Sequence, residues 1–128
     1  MTPSKRERKG RGRLSRSGDF ERAYREGASH SNRFVVLYCF PRPDAREEGV
    51  RLGVSVGRGL GGAVERNKVK RALREAFRDV DGRLPDGHDF VLVARPDLAG
   101  LVEREGTNGV RSCLDEVIRE SGLTRRSV

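Results

Sequence analysis

The 128-residue chain has few of the side chains from which catalytic and metal sites are usually built. It contains no tryptophan, two cysteines and two histidines, and only 5% of its residues are aromatic. Cys39 and Cys113 stand far apart in apolar surroundings without a C-x-x-C partner, which is typical of buried thiols in a reduced protein rather than of a disulfide or metal ligands. No stretch approaches the ~18 apolar residues of a membrane span, and the basic N-terminus lacks the apolar stretch of a secretion signal. We therefore expect a cytoplasmic protein with no membrane partner.

The histidines and acids form no recognisable catalytic set, although a self-sufficient enzyme needs a nucleophile, an acid–base pair or a metal cluster. His30 stands in a segment predicted to be a polar loop, and His88 precedes Asp89 in a segment predicted to turn. The sequence has no H-x-x-x-H motif, no paired carboxylates among apolar residues and no G-x-S-x-G motif. We predict neither a catalytic residue nor a metal ligand, so that any reactive groups would come from a partner.

Positive charge is the most prominent property of the chain. Lysine and arginine number 27 against 19 aspartates and glutamates, which gives a formal net charge of +8. Residues 1–13 carry six cations, one acid and almost no apolar side chain, and are predicted to form a flexible basic arm. We expect one domain over residues 14–122 and a short tail over 123–128. The excess of positive charge predicts an acidic partner such as nucleic acid.

Residues 63–80 have the pattern of one amphipathic helix at about 100° per residue. Its apolar stripe consists of Val69, Ala72, Leu73, Ala76, Phe77 and Val80. The opposite face collects Arg66, Asn67, Lys70, Arg71, Arg74 and Arg78, and Lys68 adds a further cation. Glu75 is the only acid between positions 66 and 78, so the cations repel one another by roughly a few tenths of a kcal/mol per pair unless a polyanion lies along them. A merely solvated face is the alternative, but such faces usually alternate acids and bases, and the single-sign stripe favours phosphate binding.

Two further helices and a glycine-rich loop are predicted around this basic helix. In the first helix, over residues 17–27, Phe20 and Tyr24 share a face that suits either the core or the gripping of single-stranded bases. The last helix is predicted over residues 107–121. The loop 57–62, G-R-G-L-G-G, only loosely resembles nucleotide-binding glycine loops. It predicts a close backbone approach and a helix N-cap at Gly62.

Three strands are predicted from β-branched and aromatic runs over residues 33–40, 50–56 and 89–95. The first two are most simply paired as a hairpin across the polar segment 41–49. The first strand is apolar on both faces. Alternation places Phe34, Val36, Tyr38 and Phe40 on one face and Val35, Leu37 and Cys39 on the other.

Residues 52–78 closely resemble the signature of the bacterial ribonuclease P protein subunit. The core of that signature, A-V-x-R-N-x-x-K-R-x-x-R, is matched by Ala63, Val64, Arg66, Asn67, Lys70, Arg71 and Arg74. The pattern R-L before D-F-x-x-x-[FY]-x-x-G is matched by Arg13, Leu14, Asp19, Phe20, Tyr24 and Gly27, and F-V-V-L-Y and D-F-V-L-V-A-R follow in order. The similarity covers roughly residues 13–122, and the order of its motifs is highly specific.

The resemblance implies a fold and an activity. The fold is a single-domain α/β sandwich of the α+β class, in the order helix–three strands–helix–strand–helix, with a left-handed β-α-β crossover around the basic helix. A fourth strand would then come from segment 41–49 or from the edges of the predicted strands. The implied activity is that of a subunit which assists a large catalytic RNA in the magnesium-dependent removal of the 5′ leader from precursor tRNA. Mg²⁺ would be bound mainly by that RNA, with no organic cofactor and no obligate protein partner.

The resemblance also implies which residues bind RNA. Those that match the basic helix and its loop are Arg58, Arg66, Asn67, Lys68, Lys70, Arg71, Arg74 and Arg78. Phe20, Tyr24 and Tyr38 match the aromatics of a cleft that holds the single-stranded leader. No catalytic residue is implied in this chain.

The glycine-rich loop departs from the family pattern. The family commonly has S-K-K-x-G-N-A-V, whereas this chain has glycine at positions 57, 59 and 62, so one loop cation and the asparagine N-cap are missing. The basic arm could offset the lost charge. Two other classes suit the charge and size: a ribosomal protein with an rRNA-binding helix, and a DNA-binding factor. The second is disfavoured because no turn and recognition helix precede the basic stretch.

Overall fold

The computed structural model describes residues 28–41, 50–85 and 87–122. These residues form β1 (Ala28–Ser31), β2 (Val35–Pro41), β3 (Val50–Ser55), α1 (Ala63–Val80), β4 (His88–Ala94) and α2 (Asp97–Ser121). The α+β class and the order three strands–helix–strand–helix are confirmed. The basic arm, the helix predicted over 17–27 and the tail lie outside the described residues, so the domain boundaries stay a prediction.

The four strands form one sheet in the order β1-β2-β4-β3. β2 is antiparallel to both β1 and β4, whereas β3 is parallel to β4. The predicted hairpin between β2 and β3 is wrong, because β4 lies between them. β4 is buried along almost its whole length, and a strand that is apolar on both faces is stable only in the interior of a covered sheet. β3, α1 and β4 form a β-α-β unit, whose left-handed crossover stays a prediction.

The fourth strand, β1, comes from the segment predicted to be a polar loop around His30. It pairs with β2 from Ala28 opposite Cys39 to Ser31 opposite Val36. β1 is an edge strand with largely exposed side chains, held by main-chain hydrogen bonds. Such a strand needs no alternating apolar pattern, which is the signal by which strands are found in a sequence. The expectation that the fourth strand comes from segment 41–49 or from other strand edges is therefore wrong.

Asn32 shapes the turn between β1 and β2 and ties it to α2. Its Oδ1 accepts hydrogen bonds from the backbone N–H groups of Phe34, at 2.9 Å, and Val35, at 3.0 Å. Its Nδ2 donates to the Cys113 carbonyl at 3.1 Å. Strand alternation therefore starts only at Val35, and Phe34 packs against the main core instead of sharing a face with Tyr38. The predicted position of Phe34 is wrong for this reason.

The main core lies between one face of the sheet and the two helices. All six predicted apolar residues of α1 are buried, and the helix begins and ends where the sequence predicts. They pack in one cluster with alternate residues of the strands, among them Leu37, Leu52 and Leu92. The rings of Phe77 and Phe90 lie 5.9 Å apart across the helix–sheet contact. The apolar face of α1 thus fixes its basic face toward the outside of the domain.

α2 begins at Asp97, ten residues earlier than predicted. Gly106 interrupts it with φ 65° and ψ −153°, a left-handed φ that glycine adopts without strain. The predicted helix 107–121 is the segment after this kink. The earlier segment was missed because its glycines weaken the helical pattern, yet Leu98, Leu101 and Val102 anchor it in the core. No helix in the described ranges is long and apolar enough to cross a membrane.

Candidate nucleic-acid interface

The loop between β3 and α1 places the start of the basic helix at the surface. Residues Arg58–Leu60 form a short 3-10 turn in which Leu60 is buried and Arg58 is exposed. Gly61 has φ 124°, a backbone conformation that residues with a side chain rarely adopt. Gly62 is the predicted N-cap, and its N–H donates to the Glu65 side chain at 3.1 Å. A capping box has two hydrogen bonds, one accepted by the N-cap side chain and one accepted by the side chain three residues later. Glu65 accepts the second, whereas the glycine N-cap has no side chain to accept the first.

The predicted RNA-binding residues of α1 lie together on its outward side. Arg66, Lys70 and Arg74 are half-buried, while Asn67, Lys68, Arg71 and Arg78 are exposed. A concavity with a volume of about 350 Å³ is lined by Asn67, Lys70, Arg71, Arg74, Glu75 and Arg78. Arg58, Arg66 and Lys68 do not line this concavity. The clustering that the helical period predicts is confirmed, whereas contact with RNA stays a prediction.

The acids of α1 are engaged away from its cations. Glu65 accepts from the N-cap, Glu75 accepts from the Thr107 hydroxyl at 3.1 Å, and Asp79 accepts from Arg111 at 2.9 Å. These three are the acids of the helix, and none of them bonds to Lys70, Arg71 or Arg78.

Several cations of this surface consequently have no ion pair within the described ranges. Lys70, Arg71 and Arg78 are of this kind, and so are Arg66 and Lys68. The Nε atom of Arg66 is buried and has no hydrogen-bond partner in the same part of the chain. A buried donor without a partner costs about 1–3 kcal/mol.

Asp81, which follows α1, has a raised pKa. Burial raises the pKa of Asp81, and the neighbouring Asp79 raises it further, while Arg78 opposes both by lowering it. The position adds to the cost of the charged form, because the C-terminal end of a helix carries partial negative charge.

The second face of the sheet carries the aromatic residue predicted for a leader cleft. Tyr38 and Val93 are half-buried and pack against the buried side chains of Phe40 and Val91. The other two predicted cleft residues, Phe20 and Tyr24, lie outside the described residues. The structure therefore places Tyr38 on an apolar face distinct from the main core, and a role in binding a leader stays a prediction.

A buried ion pair next to this face was not predicted. Arg51 donates to both carboxylate oxygens of Asp89, from Nε at 2.9 Å and from Nη2 at 2.6 Å. Asp89 is fully buried and is opposite Phe40 on β2 and Arg51 on β3. The two residues are 38 positions apart, so only the parallel pairing of β3 with β4 brings them together.

The histidines and cysteines do not join in a site. The prediction that His88 lies in a turn is wrong, because His88 is the first residue of β4. Its ring lies 6.4 Å from that of Phe90. Consecutive strand residues such as His88 and Asp89 point to opposite faces of the sheet, so these two side chains do not form a pair. Cys39 and Cys113 are free and buried, as predicted. Burial raises the pKa of each thiol to about 11, with Asp89 adding to the effect at Cys39 and a hydrogen bond from Asn32 opposing it at Cys113.

The fold and this surface together define a class of protein. It is a small α+β domain in which a sheet and a packed helix hold one row of cations outward, in the arrangement expected for binding a polyanion.

Comparison with known proteins identifies the family. The family model for ribonuclease P matches residues 9–118. The ribonuclease P protein component of Shouchella clausii is 35% identical over 109 residues, covering 85% of this chain and 84% of that protein. The one from Geobacillus kaustophilus is 34% identical over 110 residues and covers 86% of each. The chain belongs to the ribonuclease P protein component family.

Solved structures agree with this assignment. The ribonuclease P protein of Staphylococcus aureus superimposes with a TM-score of 0.74 at 31% identity, covering 88% of this chain and 97% of that one. The protein from Thermotoga maritima gives a TM-score of 0.72 at 35% identity, covering 84% and 96%. The α+β fold of the described residues is therefore that of the family's known structures.

Proposed function

We propose that the chain is the protein subunit of a ribonuclease P that removes the 5′ leader from precursor tRNA, with the chemistry carried out by the RNA subunit. Family membership supports the subunit role and favours it over a ribosomal or DNA-binding protein. The observation that carries the proposal within the structure is that Lys70, Arg71 and Arg78 of α1 have no ion pair in the part of the chain that the structure describes. These cations would bind the phosphates of the RNA subunit without reading its sequence.

The described residues do not fit a protein-held magnesium site. Mg²⁺ prefers carboxylate oxygens in an octahedral arrangement. Between residues 28 and 122, leaving out 42–49 and 86, no group of three His, Cys, Asp or Glu side chains could hold a metal ion. Glu65, Glu75 and Asp79 are bonded to other groups of the protein. We therefore propose that the Mg²⁺ of the reaction is bound mainly by the RNA, and we assign no step of the chemistry to a metal on this chain.

The leader of the precursor tRNA is proposed to bind on the second face of the sheet, beside Tyr38. An aromatic ring stacks on any base, with about 1–3 kcal/mol per base, which suits leaders of varied sequence. Tyr38 is partly accessible and rests on a buried support of Phe40 and Val91, so its ring is held in place from below. Phe20 and Tyr24 would complete the grip. Assembly and cleavage are proposed to occur in the cytoplasm, where the two free thiols stay reduced.

The double variant Arg66→Ala, Arg71→Ala tests the proposal. Binding of labelled ribonuclease P RNA is measured at several salt concentrations. Each lost phosphate contact should lower the slope of log affinity against log salt by about 0.7–0.9, so we expect a drop of about 1.4–1.8. Arg119→Ala is the matched control, because Arg119 is an exposed cation near the end of α2 and pairs with Asp115. An unchanged slope in the double variant would refute α1 as the contact surface.

A further inference from the structure

Three side-chain bridges join α1 and the turn that follows it to the second segment of α2. The Thr107 hydroxyl donates to Glu75 Oε1 at 3.1 Å, and Arg111 Nη1 donates to Asp79 Oδ2 at 2.9 Å. Arg83 then donates to Asp115.

The spacing of these bridges shows how the two elements lie together. Both partners advance by four residues at each step, and each pair is separated by 32 positions along the chain. The two elements therefore run parallel and meet once per helical turn. The series starts at Thr107, directly after the Gly106 kink.

Glu75 is the bridged residue that bears on the basic surface. Among the described residues, it is the only acid that lines the concavity formed by Asn67, Lys70, Arg71, Arg74 and Arg78. On a helix, residues three and four apart are neighbours, so Arg71 and Arg78 are the cations with which Glu75 would pair. Neither forms an ion pair within the described ranges, because the Glu75 carboxylate is bonded to Thr107 instead.

We propose that Thr107 is a positioning residue of the RNA-binding surface: its hydroxyl holds the Glu75 carboxylate toward α2 and so keeps Arg71 and Arg78 available to phosphate. This inference rests on the proposed function of α1. α2 thereby contributes to RNA affinity without contacting RNA. The neighbouring Asp79–Arg111 bridge acts in the same direction, since it holds the next acid of α1 toward α2 as well.

Loss of the Thr107 hydroxyl should therefore weaken RNA binding through Glu75. A released carboxylate that pairs with Arg71 or Arg78 removes up to one phosphate contact. At about 0.1 M salt, one contact corresponds to a factor of roughly five to eight in affinity, and to about 0.7–0.9 in the salt slope.

The test is a double-mutant cycle of Thr107→Val and Glu75→Gln, with labelled ribonuclease P RNA as the probe. Thr107→Val keeps the shape of the side chain and removes the donor. We expect a loss of up to about eightfold in affinity and a shallower salt slope in the Glu75 background. In the Glu75→Gln background the same change should alter affinity by less than about twofold, because the amide carries no charge with which to neutralise an arginine. Any effect of Thr107→Val on the fold is common to both backgrounds, and the cycle removes it.

Further variants check the inference without relying on Thr107→Val. Thr107→Ser keeps the hydroxyl and should bind as the wild type does, and Ser112→Ala, an exposed change on the same helix, is the matched control. Glu75→Gln by itself should change affinity by less than about twofold, since Thr107 already holds the carboxylate aside. A rise of fivefold or more would show that Glu75 pairs with the cations and would overturn the inference.

The outcomes also separate this inference from the proposed function. If wild-type protein binds the RNA with a steep salt dependence and Thr107→Val causes no loss, or an equal loss in both backgrounds, only the role of Thr107 is refuted. If wild-type binding is absent or insensitive to salt, the proposed function itself fails.

Discussion

Replacement of Arg51 by methionine should destabilise the domain far more than the loss of an ordinary surface ion pair. Arg51 makes two hydrogen bonds to Asp89, whose side chain is 0% exposed, while the Arg51 side chain is 28% exposed. Methionine fills most of the space of the arginine stem but cannot donate to the carboxylate. Asp89 would then remain in the interior without its guanidinium partner.

The structure sets the expected magnitude. Removing one partner of a fully buried ion pair costs about 3–5 kcal/mol. Because the Arg51 side chain reaches water, we expect a cost at or somewhat below the lower end of that range, about 2–3 kcal/mol. For a domain of this size, that corresponds to a fall in Tm of roughly 10 °C. Changing both partners, as Arg51→Met with Asp89→Leu, should cost less than Arg51→Met alone, because no charge remains buried.

Urea unfolding followed by circular dichroism measures the effect. Arg33→Met is the matched control, because Arg33 bonds Asp97 at a similar distance, 2.8 Å, with both side chains exposed. Exposed pairs contribute about 0–1 kcal/mol. Equal losses in Arg51→Met and Arg33→Met, or a double variant less stable than Arg51→Met, would refute the reasoning from burial.

Three further predictions concern the leader, the loop and the thiols. Tyr38→Ala should weaken binding of precursor tRNA to the protein–RNA complex by about 1–3 kcal/mol and leave binding of mature tRNA unchanged. An equal loss for both tRNAs would show that Tyr38 has a structural role and does not bind the leader. Gly59→Lys should raise RNA affinity and steepen the salt slope by about 0.7–0.9, since a Cβ at Gly59 meets no atom within 4 Å; an unchanged slope would exclude this loop from the contact. The contribution of the two thiols to the free energy of unfolding should be fully present below pH 9 and be lost as pH rises toward 11. The reason is that the folded-state pKa of both buried thiols is raised from 9.0 to about 11. Urea unfolding at pH 8 and 10.5 checks this, and a variant with Cys39→Ala and Cys113→Ala should lose that part of the pH dependence.

The position and the two faces of the basic helix were predictable because their signal is local. The period of its apolar residues gave both ends of α1 and its six buried side chains, and the same period gave the cationic face. The orientation of Glu75 and Asp79 toward α2 was not predictable, since they are bonded to residues 32 positions away. Sequence spacing alone would have allowed Glu75 to neutralise Arg71 or Arg78.

The sheet shows the opposite case. Its strands were visible where β-branched and aromatic residues cluster, but β1 was missed because an edge strand of polar residues has no apolar alternation. The pairing of β3 with β4 rather than β2 depends on contacts between distant segments. This pairing brings Arg51 to Asp89, and the pairing of β2 with β4 places Val91 beside Tyr38. Neither propensity nor periodicity could have shown these contacts.

The sequence by itself determined the family, the α+β class and the cations of the basic face, because ordered motifs and helical periodicity are properties of neighbouring residues. The tertiary structure decided the strand order, the buried ion pair and which acids stay away from those cations. Each of these depends on groups brought together from distant parts of the chain, where burial and direct contact outweigh local preference.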